Sequence, residues 1–134
     1  MKRLGQIVLV PFPFTDMSGS KLRPVLMLRQ ASHRYDDWLV CMVSSQLQQA
    51  EPDLDEILYQ DENDFIATGL KASSVIRLTR LAVIDGAMLI GCLGAISDER
   101  LNRIRQRLAT WLAASDDKIE QALGAIDGTE IDHD

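Results

Sequence analysis

At 134 residues, 46% of them hydrophobic and 25% charged, the chain has room for one domain with a real core and too little for two of ordinary size. That balance excludes a disordered chain, and no apolar run approaches the roughly 20 residues that span a bilayer. The net charge of −6 argues against a general nucleic-acid binder, which announces itself by overall basicity.

Distribution says more than the sum. Acidic residues gather between Glu51 and Asp64 and again after Ser115, whereas Lys21, Arg23, Arg29 and Arg34 make the first part of the chain relatively basic. An anion-binding face on an acidic protein is therefore compatible with the composition. Cys41 and Cys92 lie in apolar, strand-like runs without zinc-ligand spacing, so both are expected as buried thiols, and no metal site is expected. His33 falls in a turn and His133 in the last residues, neither with a partner in sequence. No secretory leader is expected from the polar start, and the cytoplasm is the expected compartment.

In chain order, Gln6 to Phe12 reads as a strand, Pro13 to Leu22 as a mobile surface loop and Arg23 to Arg29 as a second strand. Arg23 precedes Pro24, which restricts it to extended backbone and fixes where its side chain leaves the loop. A cation held at a loop mouth is a natural anion site. Trp38 to Val43 is the third strand, and it ends in the polar cluster Ser44, Ser45 and Gln46.

A polar connection from Gln48 to Leu54 leads to a short strand at Glu56 to Tyr59 and a turn or one helical turn at Asp61 to Phe65. Ser74 to Leu78 and Thr79 to Ile84 are two apolar or alternating segments carrying Arg77 and Arg80. Met88 to Ile96 reads as a buried strand whose glycines, Gly91 and Gly94, permit bending or close backbone approach.

Ser97 is the expected N-cap of a helix with Asp98 and Glu99 in its first turn, where negative charge suits the helix dipole. Leu101, Ile104, Leu108, Trp111 and Leu112 then fall on one face, leaving Arg100, Arg103 and Arg107 toward solvent. A second short helix, Lys118 to Ile126, precedes a frayed acidic tail from Asp127 to Asp134. A run of strands with one clear terminal helix favours a small, mostly antiparallel, barrel-like sheet with the helix packed on it.

Three stretches in this order, GQIVLVPFPFTDMSGSKLRPVLML from Gly5, VSSQ from Val43 and SVIRLTRLAVID from Ser74, resemble the MazF/PemK (Kid) family of toxins from type II toxin–antitoxin modules. The resemblance runs from Gly5 to about Leu112. It implies a mainly β fold with α, a small SH3-like barrel of the MazF/PemK/CcdB type with a C-terminal helix. Residues 1–115 would form the toxin domain, and residues 116–134 an acidic extension.

The implied activity is metal-independent, sequence-selective cleavage of single-stranded RNA, often messenger RNA, without a cofactor. The ribose 2′-hydroxyl attacks the adjacent phosphate, leaving a 2′,3′-cyclic phosphate and a 5′-hydroxyl. On that resemblance Arg23 and Ser44 are the catalytic pair, with Lys21, Ser45, Gln46, Arg77 and Arg80 as substrate-binding residues. The implied partners are RNA, a second copy in a homodimer and a cognate antitoxin, with no membrane.

The sequence departs from the family at Gln6, where an Asp is usual, at Ser44, which lacks the Thr methyl, and at Ala82, where some members place a basic residue. The loop before Arg23 lacks a glutamate that some members carry. Asp16 is the nearest carboxylate, and no general base is assigned. These departures leave open a non-catalytic, CcdB-like gyrase-binding toxin, or an inactive relative that binds only its antitoxin.

Each residue also has a plainer reading. Arg23 would bind a carbonyl or carboxylate at the loop base, and Ser44 and Ser45 would be ordinary strand-end hydroxyls. Lys21 would be a solvated loop charge, and Arg77 and Arg80 would pair with the acidic stretch. Phe12 and Phe14 are expected as packing rather than as platforms for bases, and Trp111 as core.

Overall fold

The structure is a computed structural model that describes residues 2–12 and 21–114. The expected loop with Phe14 and Asp16, the second helix, the acidic tail and His133 lie outside the described residues. Six strands form one antiparallel sheet: β1 (Gln6–Phe12), β2 (Lys21–Gln30), β3 (Asp37–Ser44), β4 (Glu56–Leu58), β5 (Ser74–Asp85) and β6 (Gly91–Ala95). Their order is β4-β5-β3-β2-β1-β6, and the sheet curls into a half-barrel with a C-terminal helix, α2 (Asp98–Ala113). A single turn of helix, α1 (Phe65–Thr68), lies between β4 and β5. Among the described residues no helix is long and apolar enough to cross a membrane.

Period-2 alternation gives the sheet two apolar faces. Ile7, Leu26, Leu28, Cys41 and Val43 point to one side, where Leu101, Ile104 and Leu108 of α2 cover them. Val8, Val10, Val25, Met27, Trp38 and Val40 form a second cluster on the other. The helix starts as its sequence dictates: the Ser97 hydroxyl accepts from the Arg100 N–H at 3.1 Å.

Its arginines are not simply left to solvent: Arg103 stays exposed, but Arg100 is buried. Arg100 is only 5% exposed, and its guanidinium donates to Glu56 Oε2 at 2.6 Å, Glu62 Oε1 at 2.8 Å and Asp64 Oδ2 at 2.9 Å. Arg103 and Arg107 also donate to Glu56, each at 3.1 Å. Helical spacing could not reveal this, because the carboxylates come from the acidic stretch some 36 to 51 residues earlier. Trp111 and Leu112 depart from expectation in the opposite sense, at 51% and 66% exposed, since Leu108 is the last residue of α2 to reach the core.

The two segments expected at Ser74 to Leu78 and Thr79 to Ile84 are one strand, β5, with an irregularity inside it. Met42 pairs with Arg77 but Cys41 pairs with Leu81, so one step along β3 spans four along β5. The fully buried Asp55 carboxylate anchors the bulge, accepting from the Thr79 N–H at 3.0 Å and from its hydroxyl at 3.2 Å.

The strand expected at Met88 to Ile96 is shorter and more exposed than its composition suggested. Residues Gly86–Met88 form a 3-10 turn, held by the Asp85 carboxylate accepting from the Ala87 N–H at 2.9 Å. β6 is then an outer strand, and Cys92 on it is exposed whereas Cys41 is buried. Gly94 does mark a close approach: a Cβ there would lie 2.1 Å from the Ala67 carbonyl oxygen, while one at Gly91 would meet nothing within 4 Å.

Two stability predictions follow from this packing. The Arg100 hydrogen bonds hold the Asp64 carboxyl down at about 2, and they hold Glu62 below its usual range. Burial raises the Glu56 carboxyl, but hydrogen bonds from Arg103 and Arg100 outweigh it and leave Glu56 lowered too. Depressed carboxyls stabilise the fold above the unfolded-chain values of about 4, and that stabilisation is lost as pH falls toward about 2. Arg100→Met should therefore cost about 3–5 kcal/mol at pH 7, because it strands buried carboxylates. In urea titrations the gap to wild type should narrow as pH drops below about 4. Gly94→Ala should cost about 1–3 kcal/mol by overpacking β6 against α1, and Gly91→Ala should stay within about 0.5 kcal/mol, both read from thermal or urea melts.

Candidate functional site

A groove of about 1130 Å³ opens on the face of the sheet opposite α2, at the end where β2 begins and β3 stops. Register builds it. Val25 pairs with Met42, and two further residues along each strand, on the same face, come Arg23 and Ser44. Arg77 stands across from Met42 on the other side of β3. Three strands thus contribute Arg23, Ser44 and Arg77 to one surface, although they are far apart in sequence.

Of the sequence-derived candidates, Arg23, Ser44, Ser45, Gln46, Arg77 and Arg80 all line the groove. Lys21 does not. It opens β2 rather than belonging to the preceding loop, and it pairs with Phe12 at the end of the β1–β2 ladder. Phe12 itself is 42% exposed and lines the groove. Ala82 is also in the lining and packs against the second apolar cluster.

Sequence reading overlooked two contributors. Gln49 lies at the end of a 3-10 turn, Leu47–Gln49, whose formation folds the side chain back toward β3. Lys71 sits in the segment between α1 and β5, where Gln60 donates to the Lys71 carbonyl at 3.3 Å. Neither stands beside a motif residue, so only the closure of the sheet reveals them. Gly69, at φ 72° in the left-handed region, turns the chain out of α1 toward this wall.

The electrostatics are one-sided. Arg23, Lys71, Arg77 and Arg80 line the groove, and among the described residues no Asp or Glu does. Among the described residues the charged ends of Arg23, Lys71 and Arg80 make no ion pair. Arg77 is the intermediate case. Its Nε lies 3.9 Å from Asp55 Oδ2, its Nη1 donates to Gln49 Oε1 at 3.4 Å, and its side chain is 18% exposed. It thus pairs with the acidic stretch and also faces the groove. The plainer reading of Arg23, an intramolecular carbonyl or carboxylate partner, finds no such partner among the described residues.

Hydroxyl and amide groups complete the surface. The Ser44 hydroxyl donates to Gln49 Oε1 at 3.2 Å and accepts the Gln46 N–H at 3.1 Å. Gln48 donates to Gln46 Oε1 at 2.9 Å, so the corner after β3 is cross-linked by its own side chains. Unneutralised guanidinium and ammonium groups beside an oriented hydroxyl can bind a phosphate and stabilise charge that builds on its oxygens.

Comparison with known proteins agrees with this architecture. The fold is similar to a solved structure described as an endoribonuclease in complex with its cognate antitoxin from a mycobacterial species, with a TM-score of 0.62 and 14% identity over 87% of this chain and 99% of that one. It is also similar to the Mycobacterium tuberculosis toxin MazF-mt6, with a TM-score of 0.58 and 15% identity over 83% of this chain and 99% of that one. No curated protein matches the sequence significantly. Residues 3–112 match the family model described as PemK-like, MazF-like toxin of type II toxin-antitoxin system. The chain therefore belongs to the PemK-like, MazF-like family of type II toxin–antitoxin toxins.

Proposed function

We propose that this toxin is a sequence-selective endoribonuclease that cuts single-stranded RNA, messenger RNA included, without a metal. The observation that carries the reading is the cationic groove, lined among the described residues by no carboxylate, in which the register aligns Arg23 with Ser44 and Arg77, with Arg80 and Lys71 around them. A polyanion has a path there, and one phosphate has a specific seat.

In the proposed reaction the ribose O2′ forms a bond to phosphorus and the bond from phosphorus to O5′ breaks. One proton leaves O2′ and one is gained by O5′, so a 2′,3′-cyclic phosphate and a 5′-hydroxyl result without consumption of water. Arg23 binds the phosphate and stabilises the charge that grows on its non-bridging oxygens. Ser44 supplies a hydroxyl to the same centre. Ser45, Gln46, Arg77 and Arg80 hold the flanking nucleotides, with Lys71 as an added cation and Lys21 at the strand entrance beyond the groove. Arginine is a poor base at neutral pH because its pKa exceeds about 12, so Arg23 acts as an electrostatic group rather than as the proton acceptor.

The proposed partners are RNA, a second copy that extends the RNA path across a homodimer, and a cognate antitoxin whose acidic segment occupies the same cations. The proposed compartment is the cytoplasm. The solved relative bound to its own antitoxin supports the antitoxin reading by fold.

The test is direct. Wild type, Arg23→Ala and Ser44→Ala are incubated with a long single-stranded RNA in excess EDTA, and the fragment ends are mapped. Wild type should leave cyclic phosphate and 5′-hydroxyl ends. Arg23→Ala should cut roughly 10²- to 10³-fold more slowly, the usual cost of one transition-state donor, with an unchanged circular dichroism spectrum. Absence of cutting by wild type across diverse RNAs, with binding to gyrase or another protein instead, would replace this reading with a non-enzymatic toxin.

A further inference from the structure

We infer that Gln49 is a positioning residue that presents Ser44 to the substrate as a hydrogen-bond acceptor, matched to the ribose 2′-hydroxyl. The inference rests on the ribonuclease reading and assigns one of its hydrogen bonds a direction.

The direction is set by a chain of polar groups that starts in the interior. The Asp55 side chain is fully buried, and Arg77 reaches toward it with Nε 3.9 Å from Oδ2. Arg77 then donates through Nη1 to the side chain of Gln49 at 3.4 Å. A guanidinium has donors and no acceptor, so the Gln49 atom facing it must be the carbonyl oxygen rather than the amide nitrogen. That oxygen is also the atom 3.2 Å from Ser44 Oγ. A carbonyl oxygen cannot donate, so the single hydroxyl proton of Ser44 points to Gln49.

Ser44 Oγ meanwhile accepts the Gln46 N–H at 3.1 Å. A hydroxyl has one proton and two lone pairs. With the proton and one pair engaged, the remaining pair is what Ser44, a groove-lining residue, has to offer a ligand.

A lone pair has no use for a phosphate oxygen, which is itself an acceptor. The donor that RNA carries beside its scissile phosphate, and that DNA lacks, is the 2′-hydroxyl. Accepting its hydrogen bond would orient O2′ toward phosphorus while Arg23 holds the phosphate. The same bond discriminates ribose from deoxyribose. Gln49 acts only through Ser44 and touches no reacting atom.

The experiment separates donor from acceptor at the 2′ position. A cleavage site is first mapped on a long RNA with wild type. Oligonucleotides spanning that site are then made with a single 2′-amino group, which donates, or a single 2′-fluoro group, which only accepts. Their affinities are compared for wild type, Gln49→Leu and Gln49→Glu. Wild type should bind the 2′-amino oligonucleotide about three- to tenfold more tightly, the worth of one neutral hydrogen bond. Gln49→Leu should abolish that ratio and lower kcat more than it alters KM. Gln49→Glu keeps an oxygen acceptor and should keep the ratio, even with weaker overall binding.

Equal affinity of wild type for the two oligonucleotides, or a full ratio in Gln49→Leu, overturns the role of Gln49 while RNA cutting still stands. A wild type that cuts no RNA overturns the ribonuclease reading and this inference together.

Discussion

Burial of Arg100 governs how charge is shared out across the molecule. A guanidinium that is 5% exposed must have carboxylates around it, and the acidic stretch supplies Glu56, Glu62 and Asp64. Arg103 and Arg107 add two more claims on Glu56. Asp55 is consumed by the β5 bulge. Glu56, Glu62 and Asp64 are therefore tied up beneath α2, and Asp55 in the interior. The cations on the opposite face keep their charge for a ligand, and an anion site coexists with an acidic chain without contradiction.

Several of these features were legible in the sequence for local reasons. β1, β3 and the start of α2 follow from alternation and a Ser cap, signals carried within a few residues. Arg23 could be singled out because Pro24 fixes its backbone. Signals that depend on closure were not legible. The amphipathic pattern of α2 correctly placed Leu101, Ile104 and Leu108, yet it misassigned Arg100 because polarity alone does not tell a solvated arginine from one buried among carboxylates. Trp111 was misassigned for a related reason: periodicity marks a face but not where the neighbouring sheet ends. Gln49 and Lys71 join the groove only when β3 turns its corner and α1 packs on β6, and no residue beside them signals it.

The groove illustrates how a sheet can position chemistry more firmly than a loop can. Arg23, Ser44 and Arg77 occupy the same face of three neighbouring strands, so their spacing is set by the strand separation of about 4.8 Å and by register. The corner after β3 adds its own rigidity through Gln46, Gln48 and Gln49. The loop before β2 is then free to vary in sequence without moving the cation that follows it, since Pro24 and the pairing of Arg23 with Val10 hold the backbone.

The bulge in β5 has a consequence for how the family can tolerate length changes. Because four residues of β5 answer to one of β3, the strand reverses its inside-outside parity between Arg77 and Ala82. Ser74 to Leu78 serves the core under the helix, and Ala82 and Ile84 serve the core on the other face. A one-residue deletion anywhere in Leu78 to Arg80 would leave an even number of unpaired residues, so plain alternation from Arg77 would still carry Ala82 and Ile84 to their present face. The bulge thus acts as a reading frame for the sheet: substitutions that leave its irregularity intact are local events, whereas straightening it at unchanged length would turn over everything downstream.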